Sequence, residues 1–385
     1  MTADVTTSDA FLQGEGIPVD LPHVESELIK LWGSSAEQVG GPDLDHPNVT
    51  RVVLANLVVE SFSSDCAALR EALDAVVARF PCRSIVLHGS DDPARRVTAE
   101  VSALCHLPAP GLPQVCSERI VLHAGPNALD LVPGAVRPLL EAELPFVLWW
   151  AGDPREHEAI FRDLADEASR LILDLPDPGA DPEAIRLGLD PKLCAYSRDA
   201  AWFGITRWRE LVAQFFDAPS CVERSSRIRS VRIEAVSPDT NNPPRVAVWL
   251  AAWLAGQLGW KPQGQPTFQN ESSGSLLKAL LEGTKGTVNV EIETKAGPSP
   301  AIVGVMLQAE DDGSGGMETF RLNRLSPESA DVRIEVDAAN YCNLPRVVVA
   351  GELSPWRRVA AALESSRIDP PFQKALPHAL WMLGA

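Results

Sequence analysis

Acidic residues collect just after short apolar runs in the first half of the chain. Gly89, Ser90, Asp91 and Asp92 follow the run that ends at His88. Gly152 and Asp153 follow a second run, and Asp174 and Asp177 belong to a third. If those runs are parallel strands, the acids lie where open α/β sheets take ligands, beyond the carboxyl ends. Carboxylates on one rim suit Mg²⁺ or sugar hydroxyls, and Arg119 would then serve as a phosphate ligand. The same residues also suit turns and helix caps. The Asp-Pro pairs Asp92–Pro93, Asp153–Pro154, Asp177–Pro178 and Asp181–Pro182 favour that second role.

Tryptophan is the other unusual group, ten residues against two tyrosines. Trp149 and Trp150 are consecutive, so on a strand they face opposite sides. Trp202 and Trp208 flank Arg207 and Arg209, and Trp249 and Trp253 share a helix face. Trp and Arg are enriched at interface hot spots, although packing between domains employs tryptophan as well.

Familiar catalytic arrangements are missing from the sequence. It contains no G-x-x-x-x-G-K-[ST], G-x-S-x-G or H-E-x-x-H. Gly313, Gly315 and Gly316 sit between two apparent strands and predict a hairpin turn, since a dinucleotide fingerprint needs a helix behind it. Cys105 adjoins His106, but neighbours on a strand point apart, and no second pair stands at ligand spacing. The seven cysteines include no C-x-x-C and no close pair, which predicts buried thiols without disulfides or redox control. No catalytic residue, cofactor or metal is expected.

The elements that would position these groups change character along the chain. Val24, Leu28, Leu31 and Trp32 predict one helix in an N-terminal arm, residues 1–44. From 45 to 222, apolar strands at 51–59, 84–88, 97–104, 118–123, 144–150 and 170–175 alternate with helical stripes. That alternation predicts an α/β domain with a largely parallel open sheet. A helix over 127–143 must break or kink at Pro138. From 223 to 342, Val231/Ile233, Val288/Val290/Ile292 and Val332/Ile334/Val336 alternate with charges. One wet and one dry face follow, hence an α+β domain with an antiparallel sheet. A helix over 244–258, capped from Asn241 and Asn242, would cover the dry face. Residues 343–385 read as a C-terminal helical segment.

Over 385 residues, 45% hydrophobic and 22% charged, the composition is that of a globular chain. Thirty-four basic against 52 acidic residues give −18, which repels phosphate backbones. The local arginine clusters (Arg95/Arg96, Arg224 to Arg232, Arg357/Arg358) read as salt-bridge partners, so nucleic acid is not expected. No leader pattern and no apolar stretch long enough for a bilayer is visible, which points to the cytoplasm and away from membranes.

Five runs occur in a particular order: Thr50–Val59 (TRVVLANLVV), Pro81–Leu87 (PCRSIVL), Cys116–Leu122 (CSERIVL), Leu144–Pro154 (LPFVLWWAGDP) and Thr206–Asp217 (TRWRELVAQFFD). Together they resemble the glucose 6-phosphate dehydrogenase assembly protein family, OpcA, over about residues 25 to 260. Trp249–Trp260 and Ile368–Leu376 also fit. The resemblance implies a non-catalytic partner that binds glucose 6-phosphate dehydrogenase and promotes its oligomerisation and activity in the oxidative pentose phosphate pathway. Candidate interface residues in or beside the matching runs are Arg119, Trp149, Trp150, Asp153, Trp202, Trp208 and Arg209. The competing expectation is an α/β sugar-phosphate-binding enzyme or sensor at the acidic rim. A small-molecule effector of the assembly partner has no support in the sequence.

Overall fold

The computed structural model describes residues 14–39, 49–62, 66–106, 114–176, 181–217, 219–271, 274–311, 316–338, 344–350, 355–365 and 368–384. The chain forms two compact units. The first comprises Met1–Leu175, Leu187–Asp199 and Pro355–Arg367; the second comprises Pro176–Arg186, Ala200–Ser354 and Ile368–Ala385. Periodicity alone places the change near 222. The chain enters the second unit at Pro176–Arg186 and again at Ala200, where the helices carrying Trp202 and Trp208 pack with that unit's aromatic residues. The two C-terminal helices also divide, one to each unit.

The strands of the first unit are β1 (Ile17–Val19), β2 (Val49–Arg51), β3 (Asn56–Ser61), β4 (Arg83–Gly89), β5 (Val97–His106), β6 (Gln114–Ala124), β7 (Phe146–Trp150), β8 (Arg170–Leu173) and β9 (Ser197–Asp199). Its helices include α1 (Val24–Val39), α2 (Cys66–Arg79) and α3 (Glu158–Glu167). The strand order is β1-β5-β6-β4-β3-β7-β8-β9, with β2 beside β6. From β6 to β9 every pair is parallel. All of β3 and β7 is buried, as expected of strands covered on both faces. The helix expected over 127–143 is broken into 3₁₀ and α turns, one ending at Val136 and the next carrying Pro138.

β5 and β6 run antiparallel with Cys105 opposite Cys116, and the two sulfurs form a disulfide. The expectation of thiols throughout is therefore corrected. Eleven residues separate the pair in sequence, and only the hairpin register brings them together. Cys82, Cys194 and Cys221 remain buried thiols. Burial pushes the Cys82 thiol up to about 12. Cys342 and the Cys66 side chain lie outside the described residues.

A buried ionic cluster ties this unit together at the amino-terminal side of its sheet. Glu118 and Arg83, 1% and 3% exposed, meet at 2.7 Å. Glu118 also accepts Arg51 Nε at 2.7 Å and Trp32 Nε1 at 2.8 Å. Arg83 reaches Glu25 at 2.6 Å and the Leu139 carbonyl at 2.9 Å. Dry charges of this kind hold only while each is matched.

The second unit contains α4 (Ala200–Gly204), α5 (Thr206–Ala213), α6 (Arg245–Leu258) and α8 (Pro370–Met382); α7 (Pro355–Glu364) belongs to the first. Its strands are β10 (Ile228–Ser237), β11 (Lys261–Glu271), β12 (Gly274–Gly283), β13 (Gly286–Ala296), β14 (Ala301–Glu310), β15 (Met317–Arg324), β16 (Asp331–Asp337) and β17 (Arg346–Val349). They form one sheet in the order β11-β12-β13-β10-β14-β15-β16-β17. All neighbours are antiparallel except β10 with β13. β14 and β15 pair antiparallel, and Gly313 and Gly315 between them lie outside the described residues.

α6 packs on β10, β13 and β14 and also against α8. It is buried almost all round, as a helix apolar on every side must be. Pro244 occupies its N-cap, not an asparagine. Gly259 at φ 65° ends it in the left-handed conformation that glycine adopts freely. At Gly256 a Cβ would stand 2.5 Å from the Lys374 carbonyl, so only glycine lets α8 come so close. Among the described residues, no helix is long and apolar enough to cross a membrane.

Replacing Glu118 by Gln should destabilise the first unit by about 3–5 kcal/mol, because Arg83 stays buried without its counter-charge. Urea denaturation followed by circular dichroism reads this directly. The double variant Glu118→Leu/Arg83→Met should recover much of the loss.

Candidate functional site

From β3 the chain moves outward through β4, β5 and β6, then returns to β7 on β3's other side. The crevice beyond the carboxyl ends of β3 and β7 is therefore the switch point at which open α/β sheets take ligands. Here it contains a side chain of the protein itself. Glu60, 1% exposed, accepts the Phe62 N–H at 2.8 Å through Oε1. The Ala151 and Gly152 amides after β7 lie near enough to favour its anionic form. A Cβ at Gly152 would meet Oε2 at 3.0 Å. Oε2 is buried without a well-formed hydrogen bond. Burial dominates and, with some help from Glu156, holds the carboxyl above its usual range despite those amides.

A cleft of about 100 Å³ opens along the same strand ends, between α2 and β3, β4, β5 and β6. Leu69, Leu73, Val86 and Val121 make its apolar wall; Ser61, His88, Glu100, Arg119 and His123 supply polar groups. Register explains the gathering. Ser61 pairs with His88 and His88 with His123, so three side chains share one face across adjacent strands. Val86 pairs with Val121 two residues back, and Val121 with Glu100. The two imidazoles meet edge to face at 5.2 Å. His123 Nε2 is buried, has no hydrogen-bond partner among the described residues, and lies 3.6 Å from Glu100 Oε1.

The acids of the rim are mostly spent in turns. Asp92 accepts the Ala94 N–H, Asp153 the N–H and guanidinium of Arg155, and Asp181 the Glu183 N–H. Asp174 accepts Trp149 Nε1 at 3.3 Å, and Asp177 lies outside the described residues. Arg155 pulls the Asp153 carboxyl below its usual range. Among the described residues, no three His, Cys, Asp or Glu side chains are grouped as metal ligands would be.

Of the residues expected at an interface, five are buried. Trp149 and Trp150 do face opposite sides of β7, Trp150 lying edge-on to Phe161 at 5.1 Å. Trp202 packs with Trp249 and Phe372 and donates to Asp369 at 2.8 Å. Trp208 lies beneath the Arg324 guanidinium. These four indoles are at most 2% exposed and present no face for a partner. Arg119, 7% exposed, donates to Ser102 Oγ and the Gly14 carbonyl and lies 3.5 Å from Asp74. Only Asp153 and Arg209 remain half-buried, Arg209 resting 4.0 Å over the Trp202 ring.

Glu60, Glu100 and His123 carry no motif, and sequence reasoning missed them. One signal was present. Ile85–Val86–Leu87–His88 and Ile120–Val121–Leu122–His123 are the same tetrapeptide twice, and the two strands pair in that register.

The second sheet carries a charged wet face. Lys278, Glu291, Arg232, Met306, Arg321 and Glu335 line up across six strands. Arg232 bonds Glu293 and lies 3.8–3.9 Å from Glu234 and Glu291. Lys295 holds the other oxygen of Glu293 at 3.0 Å. Hydrogen bonds from Arg232 and Lys295 keep the Glu293 carboxyl below its usual range.

Comparison with known proteins gives one consistent family. Residues 73–187 match the family model described as the glucose-6-phosphate dehydrogenase subunit N-terminal domain, and 195–376 match that of its C-terminal domain. Proteins named OxPP cycle protein OpcA from Nostoc punctiforme and Synechococcus elongatus are 27% and 28% identical over 259 and 190 residues. These alignments cover 66% and 49% of this chain and 52% and 42% of those proteins, so it spans about half their length. An oxidoreductase domain protein from Kribbella flavida aligns over 85% of this chain and 95% of its own, with TM-score 0.46 and 12% identity. A scyllo-inositol dehydrogenase from Lactobacillus casei aligns over 84% and 94%, with TM-score 0.43 and 10% identity. Likeness at that level says nothing about activity.

The Glu60 carboxyl has a measurable signature. Its folded proton affinity exceeds that of an unfolded glutamate, near 4.5. As pH rises through that value the unfolded chain ionises first, so stability falls until folded Glu60 ionises too. Glu60→Gln should therefore be more stable than the parent at pH 7, with the gain vanishing as pH drops below about 4.5. Thermal melts across pH 3.5–8 would show a constant difference if the carboxyl were unperturbed.

Proposed function

Since this chain belongs to the family of glucose-6-phosphate dehydrogenase subunit domains, we propose that it binds that dehydrogenase and promotes its assembly and activity without catalysing a reaction itself. The match of both domain models, in order and over most of the chain, carries this reading. An activator of this kind acts by its differential affinity for the assembled, active state of its partner. Glu60 is the supporting observation for a non-catalytic role. Glu60 already accepts the Phe62 amide in the switch-point crevice, and an entering phosphate would meet a like charge there.

The wet face of the second sheet is the surface assigned to the partner, with Asp153 and Arg209 as further contacts. Arg232, Lys278, Lys295 and Arg321 stand there among Glu234, Glu291, Glu293 and Glu335. Charges of both signs alternate on this face, whereas the whole chain carries −18. Matched charges specify the register of a protein surface that approaches here. The tryptophans contribute by stiffening the elements beneath.

Titration of the chain into dilute glucose 6-phosphate dehydrogenase from the same organism tests the reading. A saturable rise in NADP⁺ reduction together with a heavier species in light scattering supports it; neither effect, with both proteins folded, overturns it. Arg321→Glu should weaken the complex at least about tenfold while circular dichroism shows the fold retained.

A further inference from the structure

The cleft between α2 and the ends of β3, β4 and β6 has no part in the partner surface, yet it is built like a binding site. The geometry points to a site for a small neutral polyhydroxylated molecule, a monosaccharide or ribosyl group, held between Glu100, His123 and Ser61. This inference does not rest on the assembly reading and concerns the isolated chain.

Three observations carry it. The cleft lies over the carboxyl-terminal halves of three adjacent parallel strands, beside the rim where this sheet class takes ligands. Its polar groups suit hydroxyls. His123 Nε2 is buried without a partner among the described residues and stands 3.6 Å from Glu100 Oε1. A buried orphan nitrogen needs a partner, and a hydroxyl can donate to the carboxylate while accepting from the imidazole. Ser61 stands two strands away in the same row. The cleft's aliphatic lining, Leu73 of α2 with Val86 and Val121 two residues before the histidines on the same strand face, suits the C–H face of a sugar ring.

Charge decides against an anion. Arg119 is the fixed cation of the cleft, and its guanidinium already serves Ser102, Gly14 and Asp74. Glu100 stands in the lining, 40% exposed at the mouth. A phosphate entering would meet that carboxylate with no uncommitted guanidinium to offset it. A neutral polyol meets neither cost.

Histidine Cε1–H resonances of the full chain provide the test, with His88 and His123 assigned by His88→Ala and His123→Ala. Ribose, glucose and inorganic phosphate would be titrated separately. Ribose or glucose should shift the His88 and His123 signals saturably, with Kd on the order of 1 mM for a ligand of this size. Phosphate alone should leave them in place. Glu100→Gln, at a half-exposed position that folding tolerates, should weaken sugar binding about tenfold. The inference is overturned if neither sugar shifts the two imidazoles saturably, if phosphate alone reproduces the shift, or if Glu100→Gln binds as the parent does.

Discussion

A single dry carboxylate, Glu118, sets the terms for the first unit. Two guanidinium groups and an indole converge on it, brought by α1, β2 and β4. Water cannot substitute for any of them at 1% exposure, so α1, β2 and β4 hold one position relative to β6. The register that places Arg83 opposite Glu118 is the one that places His88 opposite His123 at the other end of the same strands. A slip of one residue would turn Glu118 to the other face and scatter the imidazoles. Ionic cluster and cleft are thus two ends of one constraint.

The two sheets divide the work. The first is dry on both faces and offers only its strand ends. One of those ends is occupied from within by Glu60, and another is open as the cleft. The second sheet is dry on one face, under α6, and wet on the other, where alternating charges sit on paired strands. Buried aromatic residues hold α4, α6 and α8 together through Trp202, Trp249 and Phe372. Tryptophan abundance, which suggests an exposed hot spot in composition terms, is here a matter of internal stiffness.

Fold class was legible because periodicity was. The apolar runs of β3, β4 and β7 and the alternation in β10, β13 and β16 follow directly from which faces are wet. β11 and β12 offered no such signal. Gly274–Gly283 contains LLKALLE, a string with strong helix formers, yet pairing on both sides makes it a strand. The disulfide was illegible for want of register, and the Asp-rich rim was legible as turns rather than as ligands. The family was visible in five ordered runs. The cleft was not, because Glu100 reaches it from a neighbouring antiparallel strand. Burial of the tryptophans was not legible because type does not report burial: Trp149 and Asp174 satisfy one another inside the unit.

The division of the two C-terminal helices between units has a consequence for how the chain is built up. α7 belongs to the first unit and α8 to the second, only a few residues apart. Arg170 of β8 bonds the carbonyls of Ala362, Leu363 and Ser365 at the end of α7, while α8 closes over Gly256. During synthesis neither unit can finish until the residues of α7 and α8, 355 to 382, have left the ribosome. Both cores wait for the same short stretch, so vectorial, one-then-the-other maturation is closed to this molecule.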